Sequence, residues 1–173
     1  MIRFKKAFTL IELMVSIMIL SIMMIFLYKS YASLNISNSI LQTELKSTLY
    51  IQKIKKTILL DISLALANSV RIENREKNED TVFFQTSNSL HKRFNPYIVY
   101  IVKNKKLYRV ESLKNINTYE FPVNSEFDAD ILGEVNSFRV YKSKQKNKEI
   151  YLFDIKFEKF DSILLKVKVL NEY

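Results

Sequence analysis

One acidic residue, Glu12, lies inside the most apolar segment of the chain. That segment, Phe8–Tyr28, reads FTLIELMVSIMILSIMMIFLY and contains no basic residue, no Pro and no Gly. As an α-helix it would be roughly 31 Å long, close to the ~30 Å hydrocarbon core of a bilayer. A charged side chain in such a helix costs about 2.5–3.5 kcal/mol at its centre and less near an end. We therefore expect Glu12 to have a partner.

Few other residues in the chain are suited to catalysis. His91 is the single histidine, so His-based triads and multi-histidine metal sites are excluded. It lies in the polar stretch SNSLHKRFN, which is typical of a protein surface. With one glycine in the whole chain, neither a Walker-type loop nor a dinucleotide-binding loop is possible. We predict that the protein is not an enzyme and has no cofactor.

The acid-rich stretch EFDADILGE is a weak calcium candidate. Asp128, Asp130 and Gly133 match positions 1, 3 and 6 of a calcium-binding loop. Positions 5 and 12 are Leu132 and Arg139, which supply no ligand. The alternative is an exposed acidic turn. We favour the turn and predict no metal site.

The stretch KSKQKNK is a weak nucleic-acid candidate between two predicted strands. Phosphate contacts from such a loop would be independent of sequence and sensitive to salt. The alternative, which we favour, is a solvated hairpin tip whose lysines protect a sheet edge. The lysines concerned are Lys142, Lys144, Lys146 and Lys148.

The N-terminus KKAFTLIELMVSIMILSI resembles that of the type IV pilin and pseudopilin family. It combines basic residues, a small residue, Phe, Glu and an apolar helix in the family's order. The resemblance implies that residues 1–7 are a basic prepilin leader and that a prepilin peptidase cleaves between Ala7 and Phe8. It further implies that Phe8 becomes N-methylated and that Glu12 is the family's characteristic acid. Ala7 replaces the commoner Gly, which the family tolerates.

The implied cleavage gives Glu12 a role in subunit docking. A new cationic amino group at Phe8 would lie in apolar surroundings, where a charge is stable only if paired. Glu12 of one subunit can offer its carboxylate to the Phe8 amine of a neighbour. We expect both groups to be unsatisfied outside the assembly, which makes Glu12 a docking group and not a catalytic acid.

Two simpler interpretations of the N-terminus compete with this one. A secretory signal has a shorter apolar core and a small-residue cleavage site, for which only Ala32 is available. An uncleaved single-pass anchor that displays an extracytoplasmic binding domain is the stronger alternative. Neither interpretation explains Glu12.

The apolar segment, residues 8–28, is a predicted transmembrane helix. The charges that flank it predict its orientation in the membrane. Arg3, Lys5 and Lys6 precede it, so we expect the N-terminus in the cytoplasm and the C-terminal domain outside the bacterial inner membrane, in the periplasm. Cleavage would leave 24 basic and 18 acidic residues, a net charge of +6. With no cysteine, the exported domain must be held by its own core.

After the transmembrane segment, residues 29–72 form a predicted amphipathic, extracytoplasmic helical region. No Pro or Gly interrupts it, and Asp61–Ile72 either continues the helix or forms a second short one. A coiled-coil dimer would use the same apolar stripe, but the heptads are brief, and we favour burial against the chain's own domain. The stripe consists of Leu34, Leu41, Leu45, Leu49, Ile51, Ile54, Ile58 and Ile62.

Residues 73–173 form a predicted β-rich globular domain. It begins with a charged linker or loop, Glu73–Asp80, and continues as strands of alternating polarity, which suits an antiparallel sheet with one wet face. Packing of the sheet on the helix gives an α+β fold, and the pilin family has the same lollipop shape. The predicted strands are Thr81–Gln85, a hairpin over Pro96–Ser112 with its turn at Lys103–Lys105, Val135–Lys142, Glu149–Phe157 and Ser162–Leu170.

The β-rich part resembles the minor, tip-complex pseudopilins more than a major subunit. The resemblance lies in YIVYIVKNKKLYRVES and in DILGEVNSFRVYK. It implies a minor subunit of a type IV pilus-like filament, serving type II secretion, a type IV pilus or DNA uptake in competence. The implied partners are a prepilin peptidase, other pilin-like subunits and an inner-membrane assembly platform.

Overall fold

The computed structural model describes residues 9–116, 127–143 and 149–170. Of the predicted site residues, Ala7, Phe8, Lys144, Lys146 and Lys148 lie outside these ranges. The chain divides into two compact units, Met1–Lys46 and Ser47–Tyr173. The elements are α1 (Leu10–Ser63), β1 (Arg71–Glu76), β2 (Glu79–Gln85), β3 (Tyr97–Lys103), β4 (Lys106–Ser112), β5 (Phe127–Lys142), β6 (Ile150–Phe157) and β7 (Ile163–Lys168).

In the first unit, the described residues from Leu10 onward are helical, and their large apolar side chains are exposed. This includes Leu34, Leu41 and Leu45 of the predicted apolar stripe. Leu49, in the second unit, is also exposed, so the expectation that it is buried against the domain was wrong. The reason is that burial of the helix begins only at Ile51, after the second unit has started.

In the second unit, the last turns of α1 pack on the sheet. Ile51, Ile54, Ile58 and Ile62 are buried, as predicted. The helix ends at Ser63, whereas the predicted helical region extended to residue 72. It ends there because the chain that follows bonds to β2: the amide of Leu66 donates to the carbonyl of Gln85, and Ala65 forms a bridge with Thr86.

The seven strands form one sheet in the order β1-β2-β3-β4-β5-β6-β7. Neighbours in this order pair antiparallel, and β2 also pairs with β5 through one parallel bridge, Glu79 to Phe138. The predicted hairpin is confirmed as β3–β4. Its two turn residues, Asn104 and Lys105, have φ values of 52° and 58°, the left-handed pair that a tight type I′ hairpin turn requires.

The segment Glu73–Asp80 is a hairpin and not the predicted linker. Glu73 pairs with Thr81 and Asn74 with Asp80, between β1 and β2. The charged residues of this segment were taken to indicate a solvated linker. They belong instead to β1, an edge strand, and edge strands commonly carry charged side chains that discourage pairing with other chains.

Strand β5 is longer than predicted and pairs with two neighbours in succession. Its first half pairs with β4, and its second half with β6. Gly133 lies at the transition with a φ of 130°, a conformation that side chains other than glycine rarely adopt. A Cβ atom there would also lie 3.1 Å from the ring of Phe157.

The main core lies between α1 and the sheet. The predicted inward faces of β6 and β7 are confirmed by the buried Phe153, Ile155 and Val167, with Lys166 exposed. The prediction of one wet face fails for the strands β2 to β4, where apolar residues are buried on both faces. A second, smaller cluster covers the face away from the helix and consists of Phe83, Val99, Ile101, Val110 and Ile116.

Truncation of Phe153 tests this core. Phe153→Ala should lower the free energy of unfolding by about 3–5 kcal/mol, because the side chain is fully buried. Leu164→Ala is the matched control on the neighbouring strand, where the side chain is 69% exposed, and it should change stability by less than about 0.5 kcal/mol. Urea denaturation of the fragment from Ser30 to Tyr173 measures both. Equal effects would show that the inward assignment is wrong.

Candidate functional site

The first candidate site is the start of α1. Thr9 precedes the helix, and its backbone amide and its hydroxyl each donate to Oε2 of Glu12 at 2.9 Å. In return, the amide of Glu12 donates to Oγ1 of Thr9 at 3.4 Å. This reciprocal arrangement of a Thr and a Glu three residues apart is a capping box, and it satisfies amides that a helix start otherwise leaves without partners.

The capping box changes what we expected of Glu12. Its carboxylate is not unsatisfied within a single subunit, because Thr9 supplies two donors. The site is nevertheless exposed, and a carboxylate has room for about four hydrogen bonds, so a further donor can be added. The positive end of the helix dipole also favours an anion here. Among the described residues, Thr9 alone donates side-chain and backbone bonds to this carboxylate, which holds Glu12 in one place and leaves acceptor capacity for a further donor.

The helix behind this cap has an apolar surface suited to lipid. Every large apolar side chain from Leu10 to Tyr28 that the structure describes is more than half exposed. Within the described residues, α1 is the one helix long and apolar enough to cross a membrane. Such a surface is stable in hydrocarbon and not in water. The N-terminal helix therefore fits a single-pass membrane anchor.

Comparison with known families identifies this N-terminal region. Residues 2–28 match the prokaryotic N-terminal methylation motif, a span that includes Ala7, Phe8 and Glu12. Over this span the chain is similar to the N-terminus of type IV pilins and pseudopilins, in which a leader precedes an apolar helix. The motif implies processing by a prepilin peptidase and assembly with other pilins. No curated protein and no solved structure matches the chain.

A second cluster of charged groups lies buried between α1 and the sheet. Asp61, in the last turn of α1, accepts bonds from Nε and Nη2 of Arg109 on β4, at 2.7 Å and 3.1 Å. Arg109 also donates from Nη1 to Glu111 at 2.7 Å, and Tyr100 donates to Asp61 at 2.6 Å. All four residues are fully buried. This cluster joins the end of the helix to the sheet by ionic bonds as well as by apolar contact.

The buried surroundings shift the pKa values of these groups. Burial and the nearby Asp61 carboxylate raise the pKa of Tyr100 well above its ordinary value. Burial opposes the charge of Glu111, but bonds from Ser89, Arg109 and the Leu90 amide outweigh it and lower the pKa of Glu111. Burial likewise opposes the charge of Arg109, but the bonds to Asp61 outweigh it and raise the Arg109 pKa. Glu111 and Arg109 are therefore held in their charged forms, and Tyr100 in its neutral form.

The two calcium candidates lie in strand β5 and are already paired with cationic or hydrogen-bonding groups. Asp128 accepts from Nη2 of Arg93 at 2.6 Å, and Asp130 lies 2.9 Å from Nε2 of His91. They are thus not part of a loop, and one carboxylate oxygen of Asp128 already bonds to the Arg93 guanidinium. Among the described residues, no group of three His, Cys, Asp or Glu is arranged to hold a metal ion.

Of the four candidate lysines, the structure describes Lys142. Its ammonium donates to Glu149 at 2.7 Å and lies 5.4 Å from the ring centre of Tyr151. The bond to Glu149 raises the pKa of Lys142. Its charge is thus partly balanced within the domain.

The buried charged cluster was not predicted, although the sequence carried a signal for it. Arg109 and Glu111 alternate with apolar residues in KLYRVES and share the inward face of β4 with Leu107. Asp61 follows Ile54 and Ile58 at helical spacing on the buried face. Opposite charges on two faces that must both be buried predict an ion pair between them.

Removal of one partner from this cluster should be costly. Asp61→Ala would leave the Arg109 guanidinium buried without its main partner, so the free energy of unfolding should fall by about 3–5 kcal/mol. Glu134→Ala removes the acid of an exposed pair with Lys159 and should cost at most about 1 kcal/mol. Chemical denaturation of both variants gives the comparison. A small loss for Asp61→Ala would contradict the role of the cluster.

The lowered pKa of Glu111 gives stability a dependence on pH. A carboxyl whose folded pKa is lowered contributes stability that is complete above its unfolded pKa, about 4.3, and is lost as the pH falls through the lower folded value. Glu111→Gln should therefore reduce stability at neutral pH and flatten its decline in acid. Melting temperatures measured from pH 7 down to pH 3 test this. Parallel curves for the two proteins would contradict it.

Proposed function

We propose that the protein is a minor pilin or pseudopilin, cleaved by a prepilin peptidase between Ala7 and Phe8 and assembled into a type IV pilus-like filament. The observation that carries the proposal is the leader match over residues 2–28 together with the capping box that holds Glu12 at the start of an apolar helix. The domain built on the end of α1 supports the minor role through the resemblance of its strands to tip-complex subunits. The filament would serve type II secretion, a type IV pilus or DNA uptake.

In this proposal the Glu12 carboxylate, already bonded to Thr9, gains a second partner in a neighbouring subunit. Cleavage would create an ammonium at Phe8, and the Glu12 carboxylate of another subunit would accept it. The capping box supports this step because Thr9 fixes the carboxylate before docking, so little side-chain freedom is lost on contact. Each charge is costly in lipid alone, and their pairing therefore favours one register between subunits.

The leader charges and the apolar helix support an inner-membrane location with the N-terminus in the cytoplasm. The domain would then lie in the periplasm, where the other pilin-like subunits and the assembly platform act. An uncleaved anchor with a binding domain is the alternative function. The match over Ala7 and Phe8 favours cleavage, since an anchor needs neither residue.

Substitution at the cleavage position tests the processing step. Ala7→Trp should block cleavage, because the peptidase must bring its active site against the bond before Phe8. The full-length precursor would then accumulate in the membrane, and gel mobility would show it. Ala7→Gly, the residue commoner in the family, is the control and should be processed normally. Normal processing of Ala7→Trp would remove the cleavage assignment.

Two substitutions of Glu12 separate capping from docking. Gln at this position can still complete a capping box, whereas Ala cannot. If the charge docks subunits, both Glu12→Gln and Glu12→Ala should insert and be cleaved, yet both should be lost from complexes with the other pilin-like proteins. Co-purification from membranes measures this. Retention of Glu12→Gln at the wild-type level would show that capping alone is required.

A further inference from the structure

The face of the sheet away from α1 carries a cavity of about 220 Å³. Phe83 and Val99, paired across β2 and β3, form its apolar floor, and Ile116 packs on the same apolar cluster beside them. The volume equals that of roughly seven water molecules and lies below the range of pockets for drug-sized ligands. The cavity therefore has room for one ring or one group of side-chain size.

Arg71, on the edge strand β1, lines this cavity and is held by two contacts. Its guanidinium carbon lies 4.6 Å from the centre of the Phe83 ring, and its Nε lies 3.0 Å from Oε1 of Glu73. Arg71 and Phe83 are partners across β1 and β2, so the stacking follows from the register of the strands. A guanidinium carries five N–H donors in a fixed plane, more than one carboxylate uses. Arg71 is thus fixed beside the apolar floor with donors to spare.

Two further polar side chains line the cavity with unused hydrogen-bonding capacity. Tyr97 is half-buried at the start of β3, and Asn115 is exposed on the segment that follows β4. In the part of the chain that the structure describes, neither side chain takes part in a hydrogen bond. By contrast, Ser69 and Gln85, which also line the cavity, donate to backbone carbonyls. A small number of polar groups around an apolar floor is typical of a ligand site.

We infer that this cavity binds an apolar ring that carries a carboxylate. The ring would lie on Phe83 and Val99, and the carboxylate would accept bonds from Arg71, with Tyr97 or Asn115 as a further donor. Planar guanidinium groups match carboxylates by paired N–H donors, and stacking on Phe83 holds the plane in place before the ligand binds. Such a ligand is either a small free acid or the last residue of another chain.

The carboxylate is favoured over a neutral group by the donors at the rim. Arg71 is the one charged side chain among the residues that line the cavity, and Glu73 already accepts from its Nε. A neutral ring would bury the same apolar area but would cover the remaining donors with weaker acceptors, which costs binding free energy. The site is separate from Glu12 and from the cleavage position. It adds a binding activity to the proposed function and does not depend on it.

Ligand titration of the full-length chain in detergent micelles tests the inference. Phenylacetate is the probe, phenylacetamide is its neutral match, and NMR follows isotope-labelled methyl groups of Ile and Val. At neutral pH we expect phenylacetate to shift the methyl signals of Ile116 and Val99 until they saturate. The signal of Ile58, buried beneath α1 on the other face of the sheet, should stay unchanged. Phenylacetamide should bind about tenfold more weakly or less, because it brings no charge to Arg71.

Two variants locate the contact. Arg71→Gln should raise the Kd for phenylacetate about tenfold without changing the Kd for phenylacetamide. Lys166→Gln is the matched control, since it removes a positive charge from an exposed side chain on β7 and should leave both Kd values as they are. Melting temperatures show whether each variant is folded. If Arg71→Gln is destabilised, Arg71→Lys keeps the charge without the planar fork and should still weaken phenylacetate binding several-fold.

Several results would overturn the inference. They are the absence of saturation at Ile116 and Val99, equal affinity for the acid and the amide, and equal shifts at Ile58. Unchanged phenylacetate binding in a folded Arg71 variant would do the same. A short peptide that ends in Phe with a free carboxylate distinguishes the two sources of the ligand. Binding tighter than that of phenylacetate assigns the site to the end of another chain, and weaker binding assigns it to a small free acid.

Discussion

The ion pair between Asp61 and Arg109 is the interaction on which the domain depends. It places two charges where neither touches water, so each is stable only while the other is present. Because Asp61 is in the last turn of α1 and Arg109 is in the middle of the sheet, the pair fixes where the helix lies on the strands. Another position of the helix on the sheet would leave these two charges buried without partners. The ionic cluster therefore selects one position.

The same cluster extends to the surface through Glu111. This carboxylate takes one bond from Arg109 and three from the loop at residues 87–96, so the core and the loop share one set of hydrogen bonds. At the other end of the chain, Thr9 holds Glu12 in a comparable way, by donors from its own backbone and side chain. In both places a charged group is held in position by its neighbours before any partner binds. Such preorganisation lowers the cost of association.

Much of this architecture is predictable from the sequence, and the failures have physical causes. The hairpin at Asn104–Lys105 and the inward face of β6 follow from turn chemistry and alternation, which are local. The helix end at Ser63 does not follow, because it depends on hydrogen bonds to Gln85, a residue distant in sequence. The charged strand β1 was taken for a linker, since composition does not distinguish a polar edge strand from a loop.

The candidate sites show the same difference between features that are local in sequence and features that depend on distant residues. Glu12 and its surroundings were recognised because the leader is a contiguous motif, whereas its capping by Thr9 was overlooked although a Thr and a Glu three residues apart are its ordinary signal. The cluster around Arg109 joins three segments, and only the folded chain brings them together. Mass spectrometry of the N-terminal peptide, from full-length protein purified out of its own membranes, tests the central claim most directly. We predict a chain that begins at Phe8 with one added methyl group on its amine; a chain that retains residues 1–7 would contradict the account.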